Sequence, residues 1–458
     1  MDNTAGFEKT KRLLIGIVDI IILHFSIYLS FLLRYRFTIP YNYEAYREVS
    51  PYIFLLFAFL NILFGIYIFY NKTINDMIVL TIIIQAITSV AIMAFTFFGR
   101  YFAFPRTIVF LGFVVSTVAL SVWRITIYLL YVKLSSRKRV IVLGNKQQCC
   151  QAIFNFKSAS NQKHKITKVA LSNYYENVVN NIDDIDIIYL IDNVDMKTVN
   201  NLYYLANKHD KRIFLESNFE NLKSLSANIL NIDDESILEL SNFIISPESD
   251  LIKRIVDFVV SLIMLIVVSP ILLITAILVK LTSKGPVFYK QVRVTKDGKH
   301  FNILKFRTMA SDAEGKSGPV LATAHDTRIT PIGKYLRSLR IDELPQLINV
   351  LKGDMALVGP RPERPFFVKQ FEKENKYYTF RHNVRAGITG YAQVYGKYAS
   401  DYESKLKFDL AYIKNYSLFF DIKILLQTIK VLFDKVSSKG VDEEPVNQNI
   451  PKDTEIYY

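Results

Sequence analysis

The chain is poor in cysteine and in charge. Its 458 residues include two cysteines, the neighbours Cys149 and Cys150. Adjacent cysteines rarely bridge each other, and no metal-ligand spacing is present. A reducing, cytoplasmic compartment is expected for the soluble part. Only 21% of residues are charged, against 51% hydrophobic. The mean hydropathy of +0.20 is too apolar for an ordinary soluble protein, so long apolar runs are required. The charge that is present is lopsided, with a formal net charge of +14. Combined with this hydrophobicity, the basic excess favours a membrane surface and a phosphorylated substrate over nucleic acid.

Apolar runs occupy residues 13–33, 52–70, 77–98 and 107–132, each at or near the roughly 20 residues that cross a bilayer. The first is interrupted by Asp19 and His24 but stays predominantly apolar. It is too long for a signal peptide and no small-residue cleavage site follows it. Lys9, Lys11 and Arg12 precede the first run, and Lys133, Arg137, Lys138 and Arg139 follow the last. Both clusters prefer the cytoplasm, and four crossings bring the chain back to its starting side. Residues 1–137 are therefore expected to be a four-helix transmembrane bundle. Arg124, inside the fourth run, is expected to face the bundle interior, in a structural pairing or a functional role.

Residues 138–245 read as a Rossmann-like α/β domain. Arg139–Gly144, Asp184–Asp192 and Lys211–Leu215 have strand character, and residues 146–157 and 196–208 have helix character. That alternation argues for a parallel sheet. The glycines of a dinucleotide fingerprint are missing after Gly144, where Asn145-Lys-Gln-Gln-Cys-Cys-Gln follows. Structural or regulatory duty is expected here in place of nucleotide binding.

Residues 251–281 form another apolar stretch, with Ser269-Pro270 in its middle. Lys253 and Arg254 stand at one end and Lys280 and Lys284 at the other, so both ends prefer the cytoplasm. By itself the run reads as an ordinary span with a tolerated proline kink; with the basic domain that follows, a re-entrant helix broken at Ser269-Pro270 satisfies both preferences.

Residues 282–436 are dense in motifs. The stretch Arg337-Ser-Leu-Arg-Ile-Asp342-Glu343-Leu-Pro345-Gln holds an adjacent acid pair with two arginines just upstream. A helix is expected to begin at the acids, with Asp342 as N-cap and Gly353 as its stop, leaving N–H groups for a phosphate. On spacing alone the reading as a cap and a solvated charge is the favoured one. A short strand at Phe301–Lys305 leads into Arg307, prolines stiffen the loop around Arg361, and Arg381 and Arg385 precede Gly387-Ile-Thr-Gly390. Helices are expected over residues 402–417 and Asp421–Phe433, and a disordered tail over 437–458.

Together these motifs resemble the bacterial sugar transferase family. The resemblance runs through Lys253-Arg254-x-x-Asp257, Ser269-Pro270, Gly285-Pro-Val-Phe-Tyr-Lys-Gln, Lys305-Phe-Arg-Thr-Met, Asp342-Glu343-Leu-Pro-Gln-Leu, Val358-Gly-Pro-Arg-Pro-Glu and Gly387-Ile-Thr-Gly-x-Ala-Gln. It covers about residues 250–435 and is that of a monotopic polyprenyl-phosphate sugar-1-phosphate transferase. The front of the chain resembles the long subfamily with four spans and a Rossmann-like middle domain. The implied fold is a multi-domain membrane protein with a small, mostly helical α/β catalytic domain. The implied reaction moves a sugar-1-phosphate from a UDP-sugar to undecaprenyl phosphate and releases UMP. It is the first membrane step of capsule, exopolysaccharide or O-antigen synthesis.

By resemblance, Asp342 is the nucleophile and Glu343 helps hold Mg2+. Lys305, Arg307, Arg337, Arg361, Arg381 and Arg385 are candidates for substrate phosphates. Expected partners are the two substrates, membrane lipids, downstream glycosyltransferases and, as an option, a second copy in a homodimer. The expected location is the bacterial inner membrane, with the catalytic domain cytoplasmic. Thr295, Thr308, Ala356 and Ala386 depart from the family pattern, where glycine, serine, serine and proline are usual; loss of the proline is expected to loosen a substrate loop. A non-catalytic scaffold of a polysaccharide assembly complex is the alternative. A membrane-tethered dehydratase is excluded because Tyr204-x-x-x-Lys208 lacks the glycines it would need.

Overall fold

The computed structural model describes residues 3–38, 40–69, 72–100, 104–134, 137–157, 164–191, 194–223, 228–232, 235–240, 242–282, 285–309, 329–396, 401–432, 450–451 and 454–458. The chain forms two compact units, Met1–Glu216 with Pro445–Tyr458, and Ser217–Glu444.

The first unit begins with four helices, α1 (Asn3–Arg34), α2 (Tyr43–Leu63), α3 (Ile74–Phe98) and α4 (Arg106–Leu134). All four are long and apolar enough to cross a membrane. The second starts and stops earlier than the apolar run 52–70, because Gly65 turns the chain at φ +58° just beyond it. Arg124 finds its partner in α1. Its guanidinium grips Asp19 Oδ2 at 2.6 and 3.0 Å and also donates to Asn61 and Thr81. A charge in an apolar bundle persists only when paired, and this pairing is the structural alternative for Arg124.

A parallel sheet follows. Its strands are β1 (Lys138–Leu143), β2 (His164–Ala170), β3 (Ile187–Leu190) and β4 (Arg212–Leu215). Helix α5 (Lys146–Lys157) packs on one face through Cys149, Ala152 and Ile153. Helices α6 (Tyr174–Asn180) and α7 (Met196–Lys208) pack on the other through Val178, Leu202 and Leu205. In the β1–α5 turn, Asn145 and Gln148 cap each other, each backbone N–H donating to the other's side-chain oxygen at 3.0 and 2.9 Å. Those N–H groups are thereby satisfied within the turn.

The sheet order is Glu455–Tyr457, β2, β1, β3, β4. Its outer strand comes from the tail that was expected to be disordered; residues 437–449, 452 and 453 of that tail lie outside the described residues. The strand is held by polar side chains that composition does not reveal. Lys168 Nζ donates to Asn181 and Asp184 at 2.6 and 3.2 Å and lies 3.3 Å from Glu455, and the Tyr457 hydroxyl joins Asn181 at 2.9 Å.

The second unit starts at Ser217, so residues 217–245 leave the Rossmann-like domain to which the sequence assigns them. Aromatic stacking is the reason. Phe219 lies on Tyr377 with centroids 3.7 Å apart, and Phe243 stacks on Phe380 at 5.5 Å. This entry segment holds α8 (Phe219–Leu222) and the antiparallel strands β5 (Asn228–Ile232) and β6 (Glu235–Glu239).

Helix α9 (Pro247–Thr282) runs unbroken through Ser269-Pro270, which corrects the expected break. Pro270 has no N–H for the Ile266 carbonyl, four residues back. The Ser269 hydroxyl donates to that carbonyl at 2.7 Å, so the lost bond is replaced locally. Mid-helix side chains such as Ile266 (65% exposed) and Val267 (69%) have no protein cover. Both ends of α9, by contrast, pack on the same unit. Near its start, Asp257 Oδ1 accepts from the Leu357 N–H at 3.2 Å and Lys253 pairs with Asp421. Near its end, Val279 is buried against Phe306 and Leu336.

The rest of this unit is the antiparallel pair β7 (Phe288–Val294) and β8 (His300–Phe306), then α10 (Pro331–Ser338), α11 (Gln346–Lys352), β9 (Met355–Val358), α12 (Pro365–Glu374), β10 (Ala386–Thr389), α13 (Tyr391–Tyr395), α14 (Tyr402–Lys414) and α15 (Leu418–Leu432). Strands β9 and β10 pair in parallel. Leu347, Val350, Leu357, Leu410 and Ile424 join in its core.

Candidate active site

The acid pair sits in a single 3-10 turn, Ile341–Glu343, between α10 and α11. Asp342 is not the N-cap of α11; Pro345 occupies that position. The turn uses up nearby donors, since the Glu343 N–H donates to the Arg340 carbonyl at 3.3 Å and the Leu344 N–H to Ile341 at 3.2 Å. Those two N–H groups are therefore not offered to a ligand. The expected stop at Gly353 is present, with φ +93°. Arg254 of α9 donates to the Val350 and Leu351 carbonyls and so caps α11 with a cation. In the sequence, Arg254 reads as a basic flank and as part of the motif Lys253-Arg254-x-x-Asp257, with no role assigned.

The two acids have different surroundings. Glu343 Oε1 accepts from Lys305 Nζ at 2.7 Å and lies 3.3 Å from Arg361 Nη2; Oε2 lies 3.8 Å from Arg340 Nη1. Burial favours the neutral acid, but Arg361 and Lys305 override it and hold Glu343 well below the usual carboxylate range. Asp342 is 8% exposed, and its carboxylate makes no hydrogen bond or ion pair with a described residue. Burial, reinforced by the charge of Glu343, raises it above the ordinary aspartate value, while Lys305, Arg337 and Arg340 pull the other way. Arg337 is oriented by Thr308, whose hydroxyl accepts from its Nε at 2.9 Å. The threonine thus supplies the hydroxyl usual there.

The loop that carries Arg361 is held along its length. The Val358 carbonyl accepts from the Tyr412 hydroxyl, Pro360 from the Gly387 N–H, Arg361 from Arg381, Pro362 from Arg293 and Glu363 from the Val294 N–H. The approach of the two loops excludes a side chain at position 387, where a Cβ would stand 2.1 Å from the Gly359 nitrogen.

Two of the expected phosphate ligands serve this frame instead. Arg381 is buried between Asp409 (2.9 Å), the Tyr378 hydroxyl and the Arg361 carbonyl (2.9 Å). Arg385 pairs with Asp250 of α9 at 2.7 Å, beside Lys296 at 3.0 Å from the same carboxylate. Buried charges go to partners of opposite sign, and these acids lie far away in sequence. Arg307 is also buried and reaches the Val279 carbonyl at 3.5 Å, at the end of α9. Asp342, Glu343, Lys305, Arg337 and Arg361 do come together.

The expected loosening at Ala386 is not seen. The Ala386 N–H, which a proline would lack, donates to Thr295 Oγ1 at 3.1 Å, and that hydroxyl donates to the Asp354 carbonyl at 2.7 Å. The departures at 295 and 386 compensate each other. The cation missing from the expected set is Arg340, although its place just upstream of the acids was a usable signal.

No cluster of three His, Cys, Asp or Glu side chains occurs among the described residues. Among the described residues, Glu343 Oε2 has only Arg340 nearby, beyond hydrogen-bonding distance. That suits a cation such as Mg2+ that takes one carboxylate and completes its shell with phosphate oxygens and water.

Known relatives match the part of the chain that carries the acid pair. Residues 248–435 match the family described as bacterial sugar transferase. The chain is 46% identical over 197 residues to the UDP-N-acetylgalactosamine-undecaprenyl-phosphate N-acetylgalactosaminephosphotransferase of Aeromonas hydrophila, covering 42% of this chain and 46% of that one. It is 43% identical over 182 residues to a UDP-glucose:undecaprenyl-phosphate glucose-1-phosphate transferase of Klebsiella pneumoniae, covering 39% of each. The match thus spans less than half the length of either protein. Against EpsL, an uncharacterised sugar transferase of Bacillus subtilis (strain 168), identity is 42% over 194 residues, covering 42% of this chain and 91% of EpsL. Identity at that level over nearly the whole of a shorter relative, with the match over residues 248–435, shows that the chain belongs to the bacterial sugar transferase family.

Proposed function

We propose that this chain transfers a sugar-1-phosphate from a UDP-sugar to undecaprenyl phosphate, through a covalent intermediate on Asp342. The observation that carries the reading is the contrast within the acid pair. Glu343 is neutralised by Lys305, Arg361 and Arg340, while the Asp342 carboxylate is unpaired among the described residues and four cations act on it. An unpaired carboxylate among cations is suited to attack a phosphorus whose oxygens those cations bind. The Aeromonas and Klebsiella relatives are named for UDP-sugar donors and an undecaprenyl phosphate acceptor, which supports the same substrate classes here.

In the first step a carboxylate oxygen of Asp342 forms a bond to the sugar-bearing phosphorus. The bond from that phosphorus to the bridging oxygen breaks, and UMP leaves with the electron pair. In the second step an oxygen of the lipid phosphate attacks the same phosphorus and the Asp342 carboxylate leaves, restored. Arg361, Arg337 and Lys305 orient and neutralise phosphate oxygens in both steps. Glu343 would hold Mg2+, which when bound supplies further neutralisation of the diphosphate. The lipid-diphosphate product is a substrate for glycosyltransferases that extend a capsule, exopolysaccharide or O-antigen.

Four N-terminal crossings of the inner membrane with both basic flanks inside put the catalytic unit in the cytoplasm. Helix α9 enters the bilayer and returns by bending at Ser269-Pro270 without losing helical continuity. Packing of both its ends on one unit supports this, because a crossing helix would part them. Its uncovered middle offers the apolar surface that lipid would cover.

Membranes carrying the protein, given undecaprenyl phosphate and a panel of UDP-sugars, are expected to release UMP with one or a few donors. Asp342→Asn should abolish release while the protein stays folded and membrane-bound. Robust turnover by that variant refutes the assignment.

A further inference from the structure

The four cations around the acid pair are not equivalent. Lys305 and Arg361 are committed to Glu343 Oε1 at 2.7 and 3.3 Å, and Arg337 to Thr308 at 2.9 Å. The Arg340 guanidinium stays 3.8 Å from Glu343 Oε2, beyond hydrogen-bonding distance, and donates no hydrogen bond to a described residue. Its side chain is 37% exposed, beside 45% for Arg361 and 13% for Glu343. Arg340 is thus a solvent-facing cation with no donor committed to a described residue.

The backbone sharpens the point. Arg340 is left-handed, at φ +53° and ψ +23°. A side chain there costs roughly 1–2 kcal/mol relative to the right-handed region, and glycine escapes most of that. The turn fixes the conformation from both sides. The Arg340 N–H donates to the Arg337 carbonyl at 3.1 Å, and the Arg340 carbonyl accepts from the Glu343 N–H at 3.3 Å. The local geometry suits glycine, yet the position carries the bulkiest cation available. Strain of this kind is stored where function needs the side chain. Counted together, Lys305, Arg337, Arg340 and Arg361 outweigh Asp342 and Glu343 by two charges. Arg340 supplies half of that surplus, and its guanidinium donates no hydrogen bond to a described residue.

We propose that Arg340 is a donor-binding residue, its whole guanidinium free to take oxygens of the nucleotide-sugar diphosphate, whereas Lys305 and Arg361 each give one contact to Glu343. The planar fork of arginine suits paired phosphate oxygens, and neighbouring Glu343 Oε2 keeps it facing the acids. This assignment rests on the transferase reading above.

The test uses the full chain in nanodiscs, with UDP as the diphosphate probe for binding without turnover. Arg340→Gly keeps the left-handed turn without strain and removes the cation; Arg340→Lys keeps the charge and loses the fork. For Arg340→Gly, the melting temperature should hold or rise. The dissociation constant for UDP should rise about tenfold, the loss expected for a hydrogen-bonded charge contact. The donor KM should rise with it, and kcat should change less. Arg340→Lys should recover most of the affinity. UDP affinity and donor KM of Arg340→Gly both within about twofold of wild type overturn the assignment. A lowered melting temperature with affinity lost in both variants also overturns it, in favour of a purely structural role. Asp342→Asn separates the two readings. If it still turns over, the transferase mechanism falls while the Arg340 binding result stands; if wild type does not bind UDP, both fall.

Discussion

Asp409→Asn is the sharpest test of how Arg361 is held. The substitution keeps the shape of the side chain and removes one charge from a buried pair. Arg381 Nη2 and Nε lie 2.9 and 3.1 Å from Asp409 Oδ2, and both side chains are almost fully buried. Leaving one member of such a pair without its counter-ion costs roughly 3–5 kcal/mol, where replacing both with apolar groups is often neutral. At about 1.4 kcal/mol per decade, the folded-to-unfolded ratio falls by two to nearly four powers of ten. A domain of ordinary stability survives that with a lowered melting temperature. The functional effect travels through one bond, from Arg381 Nη2 to the Arg361 carbonyl at 2.9 Å. Asp409→Asn should therefore both destabilise the second unit and raise the donor KM. The double variant Arg381→Met with Asp409→Leu should regain stability but keep the raised KM, since Arg361 still lacks its donor. Pulse proteolysis at sites within residues 217–444, alongside UMP-release kinetics, reads both. An unchanged unfolding midpoint for Asp409→Asn refutes the energetic reasoning. A double variant with wild-type KM refutes the positioning role.

Two further predictions concern charge and backbone pairing. Asp342 acts as a carboxylate and its pKa is raised, so the acid limb of kcat/KM should lie above the ordinary aspartate range; Arg337→Gln removes a cation that lowers it and should move the limb to higher pH. A raised pKa also means that the native state holds this proton longer than the unfolded chain, so its stability contribution is lost as pH rises through the folded value. Asp342→Asn escapes that loss and should melt no lower than wild type at neutral pH. Thr295→Gly strips the buried Ala386 N–H of its acceptor and should cost roughly 1–3 kcal/mol, while adding Ala386→Pro, which removes the N–H itself, should recover most of it in thermal unfolding.

What could be read from the residues was mostly local. Apolar runs located the four N-terminal helices, and alternating patterns located α5, α7 and the strands beside them. The acid pair and its arginines stood out through resemblance over ordered motifs. Partners distant in sequence were not legible. Arg381 stands paired with Asp409, and Arg385 with Asp250. Proline at 270 signals a break, but the Ser269 hydroxyl covers the orphaned carbonyl and the helix continues. Asp342 sits where an N-cap belongs by spacing; Pro345 holds that place, and a left-handed Arg340 turns the acids inward. The tail is polar and proline-bearing, and only the pairing of Ile456 with Val169 shows that its end completes a sheet.

The most direct measurement of the central claim is mass spectrometry of the intact protein and its peptides after incubation with a UDP-sugar donor and no lipid acceptor. The account predicts UMP release stoichiometric with protein and an added sugar-phosphate mass on the peptide containing Asp342. Adding undecaprenyl phosphate should discharge that adduct, and Asp342→Asn should form none. UMP release that strictly requires the lipid acceptor, with no adduct at any time, would contradict a covalent aspartyl intermediate and point to direct transfer.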